Sequence, residues 1–109
     1  MMSMTSEEAL EVQRYLFKQA LEVVEKKRRD YASENDPFRN FRASVHVGVE
    51  PWRGALVRLM DKIARISRIA ERGGERAVQD ESLLDTVVDA LNYIVIAYCL
   101  IREEIHEGA

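Results

Sequence analysis

At 109 residues the chain has the length of one domain, and 47% hydrophobic with 32% charged residues is the balance of a folded globule rather than a disordered tail. A formal charge of −3 argues against a protein that coats nucleic acid by general electrostatics, because that mode needs a basic excess; single nucleotides remain compatible. Two prolines, five glycines and no Asn-Gly or Asp-Gly pair leave no hairpin signal, so an all-α chain without a sheet is expected.

Thr5 followed by Glu8 forms a capping box, and Leu10, Phe17, Ala20, Leu21, Val24 and Tyr31 then recur at helical spacing, which predicts a first helix from about Ser6 to Tyr31. Its closing Lys26-Lys27-Arg28-Arg29 run suits the negative end of a helix dipole and reads as solvation. From Ala32 to Gly48 the period lapses into Asn35-Asp36-Pro37-Phe38-Arg39-Asn40-Phe41, a turn with room for a short helix behind it. Phe38 and Phe41 flank Arg39 and Asn40 there; they can stack on a base or plug the end of the bundle.

Pro51 opens the next helix, with Trp52, Leu56, Leu59, Met60, Ile63, Ile66 and Ala70 on one face up to a Gly73-Gly74 stop. The opposite face collects Arg58, Asp61, Lys62, Arg65, Arg68 and Arg72, so that one acid stands inside a basic stripe. Asp80 is a suitable N-cap for a final helix that runs through Ile105 and frays at Gly108. Leu83, Val87, Leu91, Ile94, Tyr98 and Ile101 mark its expected buried face, while Glu81, Asp85, Asp89 and Asn92 share another. About four helices in one small bundle, residues 1–109, are expected.

The single cysteine, Cys99, has no partner in the chain and suits a reducing compartment. The first residues are neither basic nor apolar, so no signal peptide is read there and the cytoplasm is the expected location. The most apolar stretch, Ile94 to Ile101, is shorter than the roughly 20 residues that span a bilayer, so it is expected in a core or an interface rather than a membrane. A lone small bundle cannot cover Leu91 to Ile105 on every side, which predicts a homodimer or larger homo-oligomer.

Carboxylates at i, i+4 and i+8 repel one another unless a positive charge lies among them, and a divalent cation answers that need. Oxygen donors favour magnesium or manganese over zinc, and magnesium commonly completes its shell with phosphate oxygens, which Arg58, Lys62 and Arg65 would also attract. An antiparallel pairing of the two long helices would face Asp61 toward Asp85 and Asp89. Glu81 and Asp85 are also ordinary complements of a helix dipole with no metal present; Asp89 and Asn92 lie too far along the helix for that account.

Tyr31, then Asp36-Pro37-Phe38-Arg39-Asn40-Phe41, then Arg58-Leu59-Met60-Asp61-Lys62-Ile63-Ala64-Arg65, then Asp80-Glu81, Asp85-Thr86, Asp89 and Asn92-Tyr93 resemble the nucleotide-modification-associated domain of bacteriophages. That family is similar to the MazG-like all-α nucleoside-triphosphate pyrophosphohydrolases. The resemblance covers about Lys27 to Tyr98. It implies a homo-oligomeric bundle with magnesium between two helices and a nucleotide ligand, in the host cytoplasm if a phage encodes it. It further implies Asp61, Glu81, Asp85 and Asp89 as metal ligands, with Asp61, Glu81 and Asp85 in catalysis and Glu81 or Asp61 as the base. Arg58, Lys62 and Arg65 would meet phosphates, and Phe38, Asn40, Phe41, Asn92 and Tyr93 the nucleoside. The reaction implied is attack of a metal-activated water on the α-phosphorus, releasing pyrophosphate. The family's first helix carries ExxE and its second ExxD. Here Ala64 replaces the second acid, and Glu81, Asp85 and Asp89 are spaced by four. The alternatives are therefore a silent protein that sequesters a nucleotide or nucleotide signal, and an interaction module with no small ligand.

Overall fold

The computed structural model describes residues 3–30, 36–73, 77, 79 and 81–108; Tyr31, the Gly74-Glu75-Arg76 turn and the expected cap Asp80 lie outside them. Among the described residues the chain is all-helical, with no strand. Helix α1 spans Ser6–Asp30 and opens on the capping box: Glu8 N–H donates to Thr5 Oγ1 at 3.1 Å, and Thr5 N–H donates to Glu8 Oε1 at 3.3 Å. A short helix α2, Arg39–Arg42, runs into a single 3-10 stretch, Ala43–Val47, which ends where Gly48 takes φ 74°. Helix α3 spans Pro51–Ala70, with its proline in the first turn and Gly73 at φ 74° beyond its end. Helix α4 spans Glu81–Gly108.

Helix α4 is the centre of the arrangement: α3 packs on one side and α1 on another, while α1 and α3 do not pack on each other. Ala55 of α3 and Ala97 of α4, 0% and 3% exposed, form the core cluster with Leu100. Small side chains at both positions let the two backbones approach closely. Ala55 lies beside Ala97 and Lys62 beside Asp89, so α3 and α4 run antiparallel. On the α1 side Asn92 Nδ2 donates to the Ala20 carbonyl at 3.2 Å, tying the two helices by one polar clamp.

The outline is elongated, 51 × 27 × 27 Å, with a radius of gyration of 16.5 Å. A compact domain of this length has about 13 Å.

The expected buried face of α4 is covered only in its first half, where Leu83, Val87 and Leu91 are half-buried. Burial falls on Thr86, Val88, Ala90, Ala97 and Leu100, whereas Ile94 and Tyr98 are 50% and 60% exposed and Ile101 is also open. On α3 the contact line is Ala55, Leu59, Lys62, Ile66 and Ile69, and Leu56, Met60 and Ile63 stand in the open. In α1 only Ala20 of the expected stripe is buried, with Leu10, Phe17, Leu21 and Val24 exposed. The physical reason is common to all three helices. The helices meet on their alanine-bearing sides, and among the described residues much of the bulkier stripe beside each stays exposed.

Candidate functional site

The antiparallel hairpin of α3 and α4 has two unlike sides. At 100° per residue Arg58, Lys62 and Arg65 fall within about 60° of one another on α3, and Asp85 and Asp89 lie one turn apart on α4. These rows flank the contact line on the same side, and Lys62 Nζ reaches Asp89 Oδ2 at 3.2 Å with both side chains partly covered. Arg58, Arg65, Asp85 and Glu81 are exposed. Sequence pattern faced Asp61 toward Asp89, but the residue that meets Asp89 is Lys62, one position later and about 100° round the helix. Asp61 is exposed beside it. Among the described residues no three His, Cys, Asp or Glu side chains converge.

One turn along from that ion pair lies an aromatic corner. Phe41 meets Tyr93 edge-on, with ring centroids 6.1 Å apart and planes at 75°, and the Arg58 guanidinium carbon is 5.6 Å from the Phe41 centroid. Phe38, Phe41, Trp52 and Ile96 pack against the Ala55–Ala97–Leu100 core, so the two phenylalanines do plug the end of the hairpin. Asn40 is exposed next to them. Asn92 is occupied on the α1 side by its bond to Ala20.

A residue that sequence reasoning passed over holds this corner in place. Arg42 donates from Nε and Nη2 to Asp36, and from Nη1 and Nη2 to Glu103 of α4 at 2.8 and 3.1 Å. Asp36 also accepts the Phe38 N–H at 3.0 Å, so one carboxylate closes the turn that carries both phenylalanines. The guanidinium lies 5.9 Å from the Phe38 ring centroid. Hydrogen bonds from Arg42 hold the carboxyls of Asp36 and Glu103 below their ordinary range, and the two acids in return hold the guanidinium charged. A signal existed in the sequence: an Asp-Pro turn with an arginine six residues on. The distant partner, Glu103, had none. Behind Arg42 an open recess of about 500 Å³ is lined by Cys99, Arg102, Glu103 and His106.

Comparison with family models, curated proteins and solved structures yields no match.

Proposed function

We propose that this chain handles nucleotides: the ionic side of the α3–α4 hairpin receives the phosphates of a nucleoside triphosphate, and magnesium-dependent cleavage between the α- and β-phosphates is its reaction. The observation that supports this most is the Lys62–Asp89 pair, with Arg58, Phe41 and Tyr93 one turn further along the same two helices. An ammonium held by one carboxylate is ready to exchange it for a phosphate oxygen, and Arg58 adds a planar fork for a second. The Phe41–Tyr93 corner, with Asn40 at its edge, offers an aromatic surface to a base. Arg65 extends the cationic row by one turn.

Asp85 and Asp89 are the first ligands proposed for a magnesium ion, which takes one or two protein carboxylates and completes its shell with waters and substrate phosphates; manganese would bind alike. Asp61 and Glu81 are the further ligands proposed, and either would accept the proton released from water. Bound there, the metal supplies charge neutralisation on the phosphates and a more acidic water. Arg58, Lys62 and Arg65 hold the triphosphate in register with those carboxylates. The setting proposed is nucleotide metabolism in a cytoplasm, that of the host if a phage encodes the chain, with a homo-oligomer as the working unit.

A second reading, nucleotide binding without turnover, is favoured by one finding. Lys62, not Asp61, meets Asp89, and Ala64 supplies no acid on that helix. Incubating the chain with each ribo- and deoxyribonucleoside triphosphate and magnesium, while following pyrophosphate, separates the two. Release supports the enzyme, and calorimetric binding without release supports the silent receptor. Neither binding nor release for any nucleotide overturns both.

A further inference from the structure

Helix α4 carries Cys99, Arg102, Glu103 and His106 on one side: at 100° per residue they fall within about 100° of one another. Arg42 of α2 closes over that line, with Nη1 and Nη2 donating to Glu103 at 2.8 and 3.1 Å. The five residues line an open recess of about 500 Å³, a size within the roughly 300–1,000 Å³ of small-ligand sites. The recess lies apart from the ionic row. From Asp89, the partner of Lys62, to Cys99 the helix rises about 15 Å.

The lining decides what enters. Glu103 is the one acid in it, and both its oxygens accept hydrogen bonds from Arg42, whose charge matches its own. Those bonds hold the Glu103 carboxyl below its ordinary range, so it stays an anion already supplied with a cation. Arg102 is left over. It is exposed and forms no ion pair among the described residues, and its guanidinium stands 5.9 Å from the Tyr98 ring centroid, one turn back on the same helix. His106 adds a ring N–H one turn further on. A planar guanidinium fork beside an imidazole, with one positive charge unmatched, is a donor set that selects an oxyanion.

Other occupants fit less well. Cys99, Glu103 and His106 share a helix side, but among the described residues no three such side chains converge on a metal position, and both Glu103 oxygens are engaged. An apolar guest would meet charged groups and an imidazole everywhere except at Cys99.

We propose that this recess is a binding site, separate from the ionic row, for a small molecule bearing a phosphate or carboxylate group. Arg102 takes the oxyanion through its fork, His106 donates a further bond, and Arg42 forms the positive wall behind them. Arg42 is also the wall that the recess shares with the aromatic turn, since the same guanidinium donates to Asp36 and lies 5.9 Å from the Phe38 ring centroid.

Cys99 is the single thiol of the chain and lines the recess, so its alkylation by the uncharged reagent N-ethylmaleimide reports occupancy. With the whole chain at an ionic strength held constant by sodium chloride, millimolar inorganic phosphate or citrate is expected to slow that reaction. Protection by phosphate alone assigns a phosphate-bearing ligand, by citrate alone a carboxylate-bearing one, and by both a site that accepts either; each supports the proposal. Arg102→Gln, with helicity checked by circular dichroism, is expected to need roughly ten times more anion for the same protection, the loss of one charge-assisted contact. Lys62→Met is expected to leave the protection unchanged, which separates this site from the nucleotide reading, so that either can fail without the other. No protection by either anion, protection that Arg102→Gln does not weaken, or protection that Lys62→Met abolishes would each overturn the proposal.

Discussion

Arg42 and Glu103, 61 residues apart, meet through two hydrogen bonds of 2.8 and 3.1 Å, and this pair fastens the aromatic turn to the C-terminal half of α4. The side chains are 39% and 38% exposed, so solvent screens the interaction and a bidentate pair here is worth about 1 kcal/mol. Glu103→Gln keeps the shape and removes the charge. Its melting temperature is expected to fall by about 4 °C in a calorimetric scan, and an unchanged transition would show that the turn is held by Phe38 and Phe41 alone.

Acid should weaken the same fastening. Both carboxyls, Asp36 and Glu103, sit below their ordinary values of 3.8 and 4.5, chiefly because Arg42 donates hydrogen bonds to them. The folded state therefore holds protons less readily than the unfolded chain. The stabilisation is complete above those ordinary values and is lost as pH falls through the lower folded ones. Thermal unfolding followed from pH 7 downward should decline below about pH 4, and more gently in Glu103→Gln. Parallel profiles for the two proteins would count against the latch as the acid-sensitive element.

How far the sequence went differs between elements. The capping box at Thr5 and Glu8, the proline start of α3 and the Gly73 stop were legible because each is a local rule acting within four residues. The buried faces were not. Periodicity marks where apolar residues lie but cannot say whether the partner is the same chain, and alanine, decisive at Ala55 and Ala97, looks neutral in any pattern. The cationic row on α3 was readable as a row. That Lys62 rather than Asp61 meets Asp89 depends on helix rotation, which spacing leaves open by about 100°. The Arg42–Glu103 pair joins distant segments and left no local trace.

Enlarging a side chain in the core of the hairpin tests the packing directly. Ala97 is 3% exposed and faces Ala55, which is 0% exposed, so a larger side chain must push the backbones apart. Ala97→Leu is expected to destabilise the fold by about 1–3 kcal/mol in urea unfolding, the usual cost of overpacking. Ala→Leu at an exposed site would be near neutral. A neutral Ala97→Leu would mean that α3 and α4 approach less closely than 55 and 97 require.

Lys62 and Asp89 give opposite expectations for ligand binding, which makes their exchange the sharpest test of the ionic face. If a phosphate displaces Asp89 from Lys62, Lys62→Met removes a charge-assisted bond of about 1.5–3 kcal/mol and should weaken nucleotide binding by roughly tenfold to a hundredfold. Asp89→Asn frees the ammonium from its carboxylate 3.2 Å away. Without magnesium that variant should therefore bind pyrophosphate more tightly than the wild type. With magnesium it should bind a nucleoside triphosphate more weakly, since a metal ligand has been lost. Titration calorimetry with and without the metal reads both. Equal affinities for the two variants under both conditions would place the phosphates elsewhere on the molecule and leave the Lys62–Asp89 pair a purely structural tie between α3 and α4.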